Sequence, residues 1–154
     1  MSAVAPIPDT YPRVTPHLSI AGVAEALEFY TSVLGATVRM RMDAPDGAVA
    51  HAELELGGAV IMLGDAAVPD SDPDPGTLGG TPVSLFVYVE DVDDVFRRAV
   101  QAGARAVSEP AVHFYGDRVA TIDDPVGHRW NLATHVEDVP PEVLDRRARE
   151  AMTP

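Results

Sequence analysis

The sequence contains no cysteine, which excludes disulfide bonds, thiolate nucleophiles and thiolate metal ligands. Basic residues are also scarce: 11 Lys and Arg stand against 24 Asp and Glu, for a formal net charge of −13. Nucleic acids and anionic membranes need a positive patch to displace counterions, so neither is an expected partner. No apolar run approaches the roughly 18 residues of a membrane-spanning helix, and the N-terminal residues lack the pattern of a secretion signal. We therefore predict a soluble, cytoplasmic protein.

A strand followed by a helix occurs twice in the 154 residues. In Thr15–Ala36, alternating apolar residues give way to apolar residues at helical spacing, and Gly35 stands where the helix ends. The same pattern returns over 84–104 and ends at Gly103. Three further strand patterns follow each helix, so the sequence predicts two βαβββ modules.

The predicted organisation has five parts. They are an N-terminal lead-in (1–13), a first module (14–64), a linker rich in Pro, Gly and Asp (65–82), a second module (83–136) and a C-terminal helix (137–154). The density of Pro and Gly predicts a linker without regular structure. A loop of this length inside a compact fold is also typical of a flap over a site, so both interpretations stay open.

The two modules align at a constant offset of residues. Thr15 pairs with Ser84 and Met62 with Asn131, each 69 residues apart. We predict an α+β fold in which the modules are related by a pseudo-two-fold axis and their curved mixed sheets enclose a cup-shaped cavity. Each helix covers the apolar face of its sheet, and the other face lines the cup. By alternation the lining residues are Thr15, His17, Ser19, His51, Glu53, Val60, Met62, Ser84, Phe86, Tyr88, Arg118, Ala120, Ile122, Asn131 and Ala133.

Several short motifs accompany this repeat. Leu27-Glu-Phe-Tyr30, Leu34-Gly-Ala36 and Asp124-Pro-Val-Gly-His128 resemble the vicinal oxygen chelate superfamily of glyoxalases, bleomycin-resistance proteins and extradiol dioxygenases. His51-Ala-Glu-Leu54 and Phe114-Tyr-Gly-Asp-Arg118 are similar to its glyoxalase-like subgroup of undefined activity. The resemblance covers roughly residues 14 to 139 and implies the paired-module fold, but the superfamily spans many activities.

The resemblance also implies where a metal would be bound. Metal-dependent members carry ligands near the start of the first strand and in the last strand of each module. In this chain the corresponding positions are Thr15, Met62, Ser84 and Asn131, none of which is a His or a carboxylate. A thioether, two hydroxyls and an amide are poor ligands for a first-row metal. We therefore expect no metal and no other cofactor at the usual positions.

Three residues of the first module could form a catalytic or metal site away from the usual metal positions. His17, His51 and Glu53 share the predicted inner face, and two imidazoles with one carboxylate suit a divalent metal. Without a metal, a His could act as general base beside an orienting carboxylate. A structural hydrogen-bonded pair is the plain alternative. These three are the candidate catalytic residues.

The remaining candidates concern ligand binding. Phe86 and Tyr88 are predicted to face the cup, where flat apolar surface suits a planar ligand, and Arg118 is the one cation predicted inside. Trp130 is predicted in the core, and Asp117 in a turn where it bonds its own backbone. The candidate ligand-binding set is Thr15, His17, Met62, Ser84, Phe86, Tyr88, Arg118 and Asn131.

Three functions are compatible with these features. The first is a metal-independent binder of a small aromatic or planar molecule, as implied by the resemblance to drug-sequestering antibiotic resistance proteins. The second is a lyase, isomerase or dioxygenase that uses His17, His51 and Glu53. The third is a partner-binding module that kept the fold and lost the pocket. The resemblance also implies a homodimer, with the C-terminal helix as a packing surface.

Overall fold

The computed structural model describes residues 4–154, which form two compact units that meet in sequence at Gly79 and Gly80. Each unit contains one βαβββ module, as the repeat predicted. The first holds β1 (His17–Ile20), α1 (Val23–Leu34), β2 (Thr37–Asp43), β3 (Val49–Leu56), β4 (Ala59–Asp65) and α2 (Pro75–Leu78). The second holds β5 (Ser84–Tyr88), α3 (Val92–Gln101), β6 (Arg105–Val112), β7 (Asp117–Asp123), β8 (Arg129–His135) and α4 (Pro141–Ala151).

The first module is a four-stranded mixed sheet in the order β1-β4-β3-β2, in which β1 and β4 are parallel. Apolar residues on α1 and alternate residues of the strands, such as Ile20, Leu54 and Leu63, are buried and form the core between helix and sheet. The opposite face carries the polar side chains, and we call it the open face. β1 begins at His17 rather than at residue 14, because Pro16 has no N–H to donate to the ladder.

The second module repeats this plan with the order β5-β8-β7-β6, again with one parallel pair, β5 and β8. The core contains Trp130, which is 2% exposed, as its alternation predicted. The indole N–H of Trp130 donates a 2.9 Å hydrogen bond to Asp124 Oδ2. The fold class is therefore α+β, with two βαβββ modules and a mixed sheet in each.

The alternation predicted for β7 was wrong by one residue. Arg118 is paired with Thr134 and Ile122 with Trp130, so these residues lie on the helix-covered face instead of the open face. The cause is the turn before β8. Three residues separate the paired Asp124 and His128, whereas two separate Leu56 and Ala59 in the first module. The extra residue reverses the facing of every side chain in β7 relative to β3.

The linker contains a short helix, contrary to the prediction that it holds no regular structure. The carboxylate of Asp74 accepts hydrogen bonds from the backbone N–H of Gly76 at 2.9 Å and of Thr77 at 3.4 Å. Pro75 occupies the first turn, where its missing N–H is not needed. An Asp cap followed by Pro is typical of the first turn of a helix. The prediction missed it because the surrounding Pro and Gly residues indicated a loop.

The C-terminal helix forms close to its predicted position, as α4, but its apolar stripe is not buried. It is joined to the preceding segment by Arg147, whose guanidinium donates two 2.9 Å hydrogen bonds to the carboxylate of Glu137. None of the helices in residues 4–154 is long and apolar enough to cross a lipid bilayer.

Candidate functional site

The open face of the first module brings His17, His51 and Glu53 together, as the alternation predicted. His17 and Glu53 both pair with Met62, one from each neighbouring strand, and His51 pairs with Gly64. The two imidazole rings are stacked, with centroids 5.9 Å apart and planes 21° from parallel. His51 Nε2 lies 3.7 Å from Glu53 Oε1. This separation is longer than a hydrogen bond, so Glu53 acts on His51 through its charge alone.

A glycine makes room for this His pair. A Cβ atom added at Gly64 would lie 2.8 Å from His17 Cε1 and 3.1 Å from His17 Nε2. The imidazole of His17 therefore lies against the backbone of β4, on the side towards His51. The sequence offers no signal for this contact, because His17 and Gly64 meet only through the parallel pairing of β1 and β4.

Tyr11 is a site residue that the sequence analysis missed. Its hydroxyl lies 2.8 Å from both carboxylate oxygens of Glu53, to which it donates its hydrogen bond. The hydrogen bond to Glu53 raises the pKa of Tyr11 above its ordinary value, and burial and the charge of Glu53 add to this. Glu53 itself is only 4% exposed. Tyr11 lies in the irregular lead-in, 42 residues from Glu53, so no spacing pattern points to the pair.

Arg39 supports Tyr11 from the second strand. Its guanidinium carbon lies 4.9 Å from the centre of the Tyr11 ring, and its Nη2 donates a 2.9 Å hydrogen bond to the carbonyl of Thr10. A guanidinium over an aromatic ring is attracted by the negative face of the ring. The lead-in is thus attached to the open face of the first module at Tyr11 and Thr10.

The usual metal positions do not suit a metal in this chain. Thr15 precedes β1, and its hydroxyl donates to the carbonyl of Pro12 at 3.4 Å. Met62 offers only a thioether, a weak ligand for the divalent metals that prefer imidazole and carboxylate. Within residues 4–154, no three or more His, Asp or Glu side chains form a group that could hold a metal ion, and this includes His17, His51 and Glu53.

On the open face of the second module, the other two usual positions belong to a hydrogen-bonded chain. Thr121 donates to Asn131 Oδ1 at 2.9 Å, and Asn131 Nδ2 donates to Ser84 Oγ at 3.1 Å. Hydroxyl and amide groups that already bond each other present further donors and acceptors to a neutral polar ligand. Ser84 and Asn131 thus lie together, as predicted.

Phe86 and Tyr88 follow Ser84 on the same face of β5. Phe86 is 49% exposed and Tyr88 62% exposed, and their ring centroids are 5.4 Å apart. Large aromatic residues bury much apolar area when they gain a partner. Together they form an exposed aromatic surface on the open face of the second module, which we call the aromatic pair.

Asp117 is the second residue that the sequence analysis missed, since it was predicted to bond its own backbone. Asp117 is 4% exposed, and its carboxylate accepts hydrogen bonds from the Tyr88 hydroxyl at 2.8 Å and from His135 Nδ1 at 2.7 Å. His135 Nε2 lies 2.9 Å from Asp138 Oδ1. Burial alone raises the pKa of Asp117, but the hydrogen bonds from His135 and Tyr88 outweigh it and the pKa falls below its ordinary value.

Arg118 is not on the open face, contrary to its place in the predicted ligand-binding set. Its Nε and Nη2 each donate a 2.7 Å hydrogen bond to the carboxylate of Asp93, in the first turn of α3. This two-bond pairing with Asp93 raises the pKa of Arg118. The one-residue difference in the turn before β8 turned this cation towards the helix.

The segment after β4 contacts the open face of its own module. The hydroxyl of Ser19 donates a hydrogen bond to the carbonyl of Asp72. Asp65 holds the start of the segment by accepting from the N–H of Ala67 at 2.8 Å and, through its carbonyl, from Ser71 at 3.1 Å. The segment is therefore more than a tether, because its backbone is hydrogen-bonded beside the edge strand β1.

Comparison with known proteins agrees with this architecture. The sequence model of the Glyoxalase/Bleomycin resistance protein/Dioxygenase superfamily matches residues 14–132. An uncharacterized protein of Mycobacterium bovis is 39% identical over 132 residues, which are 83% of this chain and 86% of that protein. TioX from Micromonospora sp. ML1 has a TM-score of 0.62 at 26% identity, over 81% of this chain and 99% of TioX. A glyoxalase/bleomycin resistance protein/dioxygenase from Nocardioides has a TM-score of 0.60 at 24% identity, over 91% of each chain, and shows the fold alone.

Proposed function

This chain belongs to the Glyoxalase/Bleomycin resistance protein/Dioxygenase superfamily, and from that premise we propose that it binds a small aromatic or planar molecule without the superfamily's usual metal. The observation that carries the proposal is the aromatic pair: Phe86 and Tyr88 lie 5.4 Å apart and are half exposed on the open face of the second module. A planar ligand stacked on these rings would bury apolar area that otherwise faces water.

The surroundings of the aromatic pair support a neutral or cationic ligand. Ser84 and Asn131 supply hydroxyl and amide groups beside Phe86, and the carboxylate of Asp117 lies beyond Tyr88. The chain carries a formal charge of −13, which disfavours approach of an anion. Sequestration of a cationic or neutral aromatic compound is the activity that fits this chemistry.

Binding of a planar cation tests the proposal. Proflavine, titrated into the purified protein by isothermal calorimetry, is expected to bind, and Phe86→Ala is expected to weaken binding about 3- to 10-fold, the value of one aromatic contact. Val112→Ala is the matched control, because Val112 is an exposed apolar strand residue on β6. Absence of binding by a panel of planar aromatics, or equal affinity in Phe86→Ala, contradicts the proposal.

Metal content tests the other half of the proposal. Protein purified without chelator is expected to contain no stoichiometric nickel, zinc or iron, since Thr15, Met62, Ser84 and Asn131 lack the preferred donors. Stoichiometric metal that is lost in His51→Ala or Glu53→Ala would contradict the metal-free proposal. It would indicate a metal site in the first module instead.

A second candidate is an enzyme of the same superfamily, a lyase, isomerase or dioxygenase. The observation that favours it is the 3.7 Å approach of His51 Nε2 to Glu53 Oε1, which would shorten to a hydrogen bond if Glu53 oriented His51 as a base in the substrate complex. Turnover that is lost in His51→Ala and kept after dialysis against chelator would support this candidate. The binder proposal expects His51→Ala to leave proflavine affinity unchanged.

We also propose a homodimer, on the analogy of superfamily members. Light scattering is expected to give twice the chain mass of 16.3 kDa. A mass of one chain across the concentration range used for binding would exclude the dimer.

A further inference from the structure

We propose that the buried carboxylate of Glu53, with Arg39 beside it, forms a binding site for neutral phenols that the chain's own Tyr11 occupies. This site is built from residues of the first module and does not include the aromatic pair. The proposed ligand is a phenol that takes the place of the Tyr11 side chain, with its hydroxyl on Glu53 and its ring against the Arg39 guanidinium.

The contacts of Tyr11 define the chemistry that the site recognises. Both oxygens of Glu53 lie 2.8 Å from the phenol oxygen, so the occupant must bring a hydrogen-bond donor. Arg39 lies 4.9 Å from the ring centre, so the occupant must bring an aromatic face. A carboxylate or phosphate ligand would place its charge against that of Glu53. The site therefore selects neutral phenols over anions.

The attachment of Tyr11 suits an exchangeable occupant. Tyr11 lies in a segment without helix or strand, and all other described residues from 4 to 14 are exposed. The segment has few further contacts: Arg39 donates to Thr10, and the N–H of Tyr11 reaches the carbonyl of Pro8 at 3.4 Å. Segments with little buried area open at low cost in free energy. Release of Tyr11 breaks no strand pairing.

The second module contains a similar pair of a tyrosine and a buried carboxylate, but its tyrosine lies in a strand. Tyr88 also donates to a buried carboxylate, Asp117, at 2.8 Å. Tyr88, however, belongs to β5, which is paired with β8 through Ala133. The backbone of Tyr88 is therefore held by the sheet and keeps its hydroxyl near Asp117, whereas the whole residue Tyr11 can leave Glu53 when the lead-in moves.

The vacated site would favour a replacement for Tyr11. Glu53 is 4% exposed with Tyr11 in place, and a carboxylate that loses its donor favours a new one. Nη1 of Arg39 is also buried and meets no acceptor among the described residues. A free phenol restores the hydrogen-bond donor that Glu53 loses when Tyr11 leaves.

Displacement of Tyr11 by p-cresol, which has the side-chain chemistry of tyrosine, tests the inference. In the full chain, Tyr11→Ala is expected to bind p-cresol at least about tenfold more tightly than the wild type, whose site is already occupied. Glu53→Gln in the Tyr11→Ala background is expected to lower the affinity about tenfold, because the charged acceptor is lost. Toluene, which has the ring and no hydroxyl, is expected to bind more weakly than p-cresol by a similar factor.

Two variants keep the outcome decisive. If Tyr11→Ala does not fold, Tyr11→Phe keeps the ring, removes the hydroxyl and is expected to bind p-cresol more tightly than the wild type. Three outcomes would show that Tyr11 is purely structural. They are a folded Tyr11→Ala that does not bind p-cresol, equal affinity for toluene and p-cresol, and loss of folding in both variants. Phe86→Ala in the Tyr11→Ala background is expected to leave p-cresol binding unchanged, so failure of this site and failure of the proposed function are distinguishable.

Discussion

Buried carboxylates organise this protein at the scale of single residues. Glu53, Asp117 and Asp124 are each 4% exposed, and each accepts hydrogen bonds from an aromatic side chain. A carboxylate removed from water loses its solvation, so it needs donors within the fold. The aromatic donors Tyr11, Tyr88 and Trp130 supply them.

Asp124 offers the clearest test of this role. It accepts hydrogen bonds from the indole of Trp130 at 2.9 Å and from the N–H groups of Val126 and His128 at 3.1 and 2.9 Å. Asp124→Ala leaves these donors without their acceptor and is expected to lower the free energy of unfolding by about 3 kcal/mol. Urea denaturation measures this change in the free energy of unfolding. Asp46→Ala, which removes one exposed turn bond to Ala48, is the control and is expected to cost under about 1 kcal/mol.

Gly116 provides a second test, because two constraints act on it. Its φ is +97°, and a Cβ atom would lie 2.1 Å from the carbonyl oxygen of Glu137. Gly47 has a similar φ of +86° but open space around the Cβ position. Gly47→Ala is expected to cost about 1–2 kcal/mol of unfolding free energy from backbone strain alone. Gly116→Ala is expected to cost about 1–3 kcal/mol more from the clash, and equal losses in urea denaturation would contradict the close approach of Glu137.

At the scale of elements, His135 joins three parts of the second module. It is the last residue of β8 and bonds Asp117 at the start of β7 and Asp138 in the segment leading to α4. The hydrogen bond to Asp117, followed by that to Asp138, raises the pKa of His135 above its ordinary value of 6.5. The charged imidazole is therefore favoured in the folded state.

This shift predicts a pH dependence of stability. A group whose pKa is higher in the folded state contributes stability fully below its unfolded pKa and loses it as the pH rises through the folded pKa. The contribution of His135 to the free energy of unfolding is therefore expected to decrease as the pH rises above about 6.5. Urea denaturation between about pH 5 and pH 9 measures the slope. His135→Gln is expected to flatten it, and an unchanged slope would show that another group is responsible.

At the scale of the whole molecule, the excess of acidic residues opposes folding. Exposed ion pairs such as Arg147 with Glu137 offset little of this repulsion, because solvent screens them. Raising the salt from about 0.01 M to about 0.1 M shortens the screening length from about 30 Å to about 10 Å. The melting temperature is expected to rise by about 2–4 °C, equivalent to about 1 kcal/mol at this chain length. A lower melting temperature at the higher salt concentration would mean that local ion pairs outweigh the repulsion expected from the charge of −13.

The sequence by itself determined the two-module architecture and the superfamily. Apolar residues at helical spacing predicted α1 and α3, and Gly35 and Gly103 predicted where each helix ends. These features are local, because spacing and capping act within a few residues. The facing of His17, His51 and Glu53 was also predicted, since alternation within a strand fixes which side chains share a face.

The tertiary structure decided the contacts between distant parts of the chain. The extra residue in the turn before β8 placed Arg118 beside Asp93 and left Asp117 free to accept from Tyr88 and His135. Tyr11 reached Glu53 from an irregular segment that has no periodicity to read. Alternation gives the facing only when the register is known, and register depends on hydrogen bonds between strands. A buried carboxylate likewise takes its donor from whichever side chain the completed fold brings within reach.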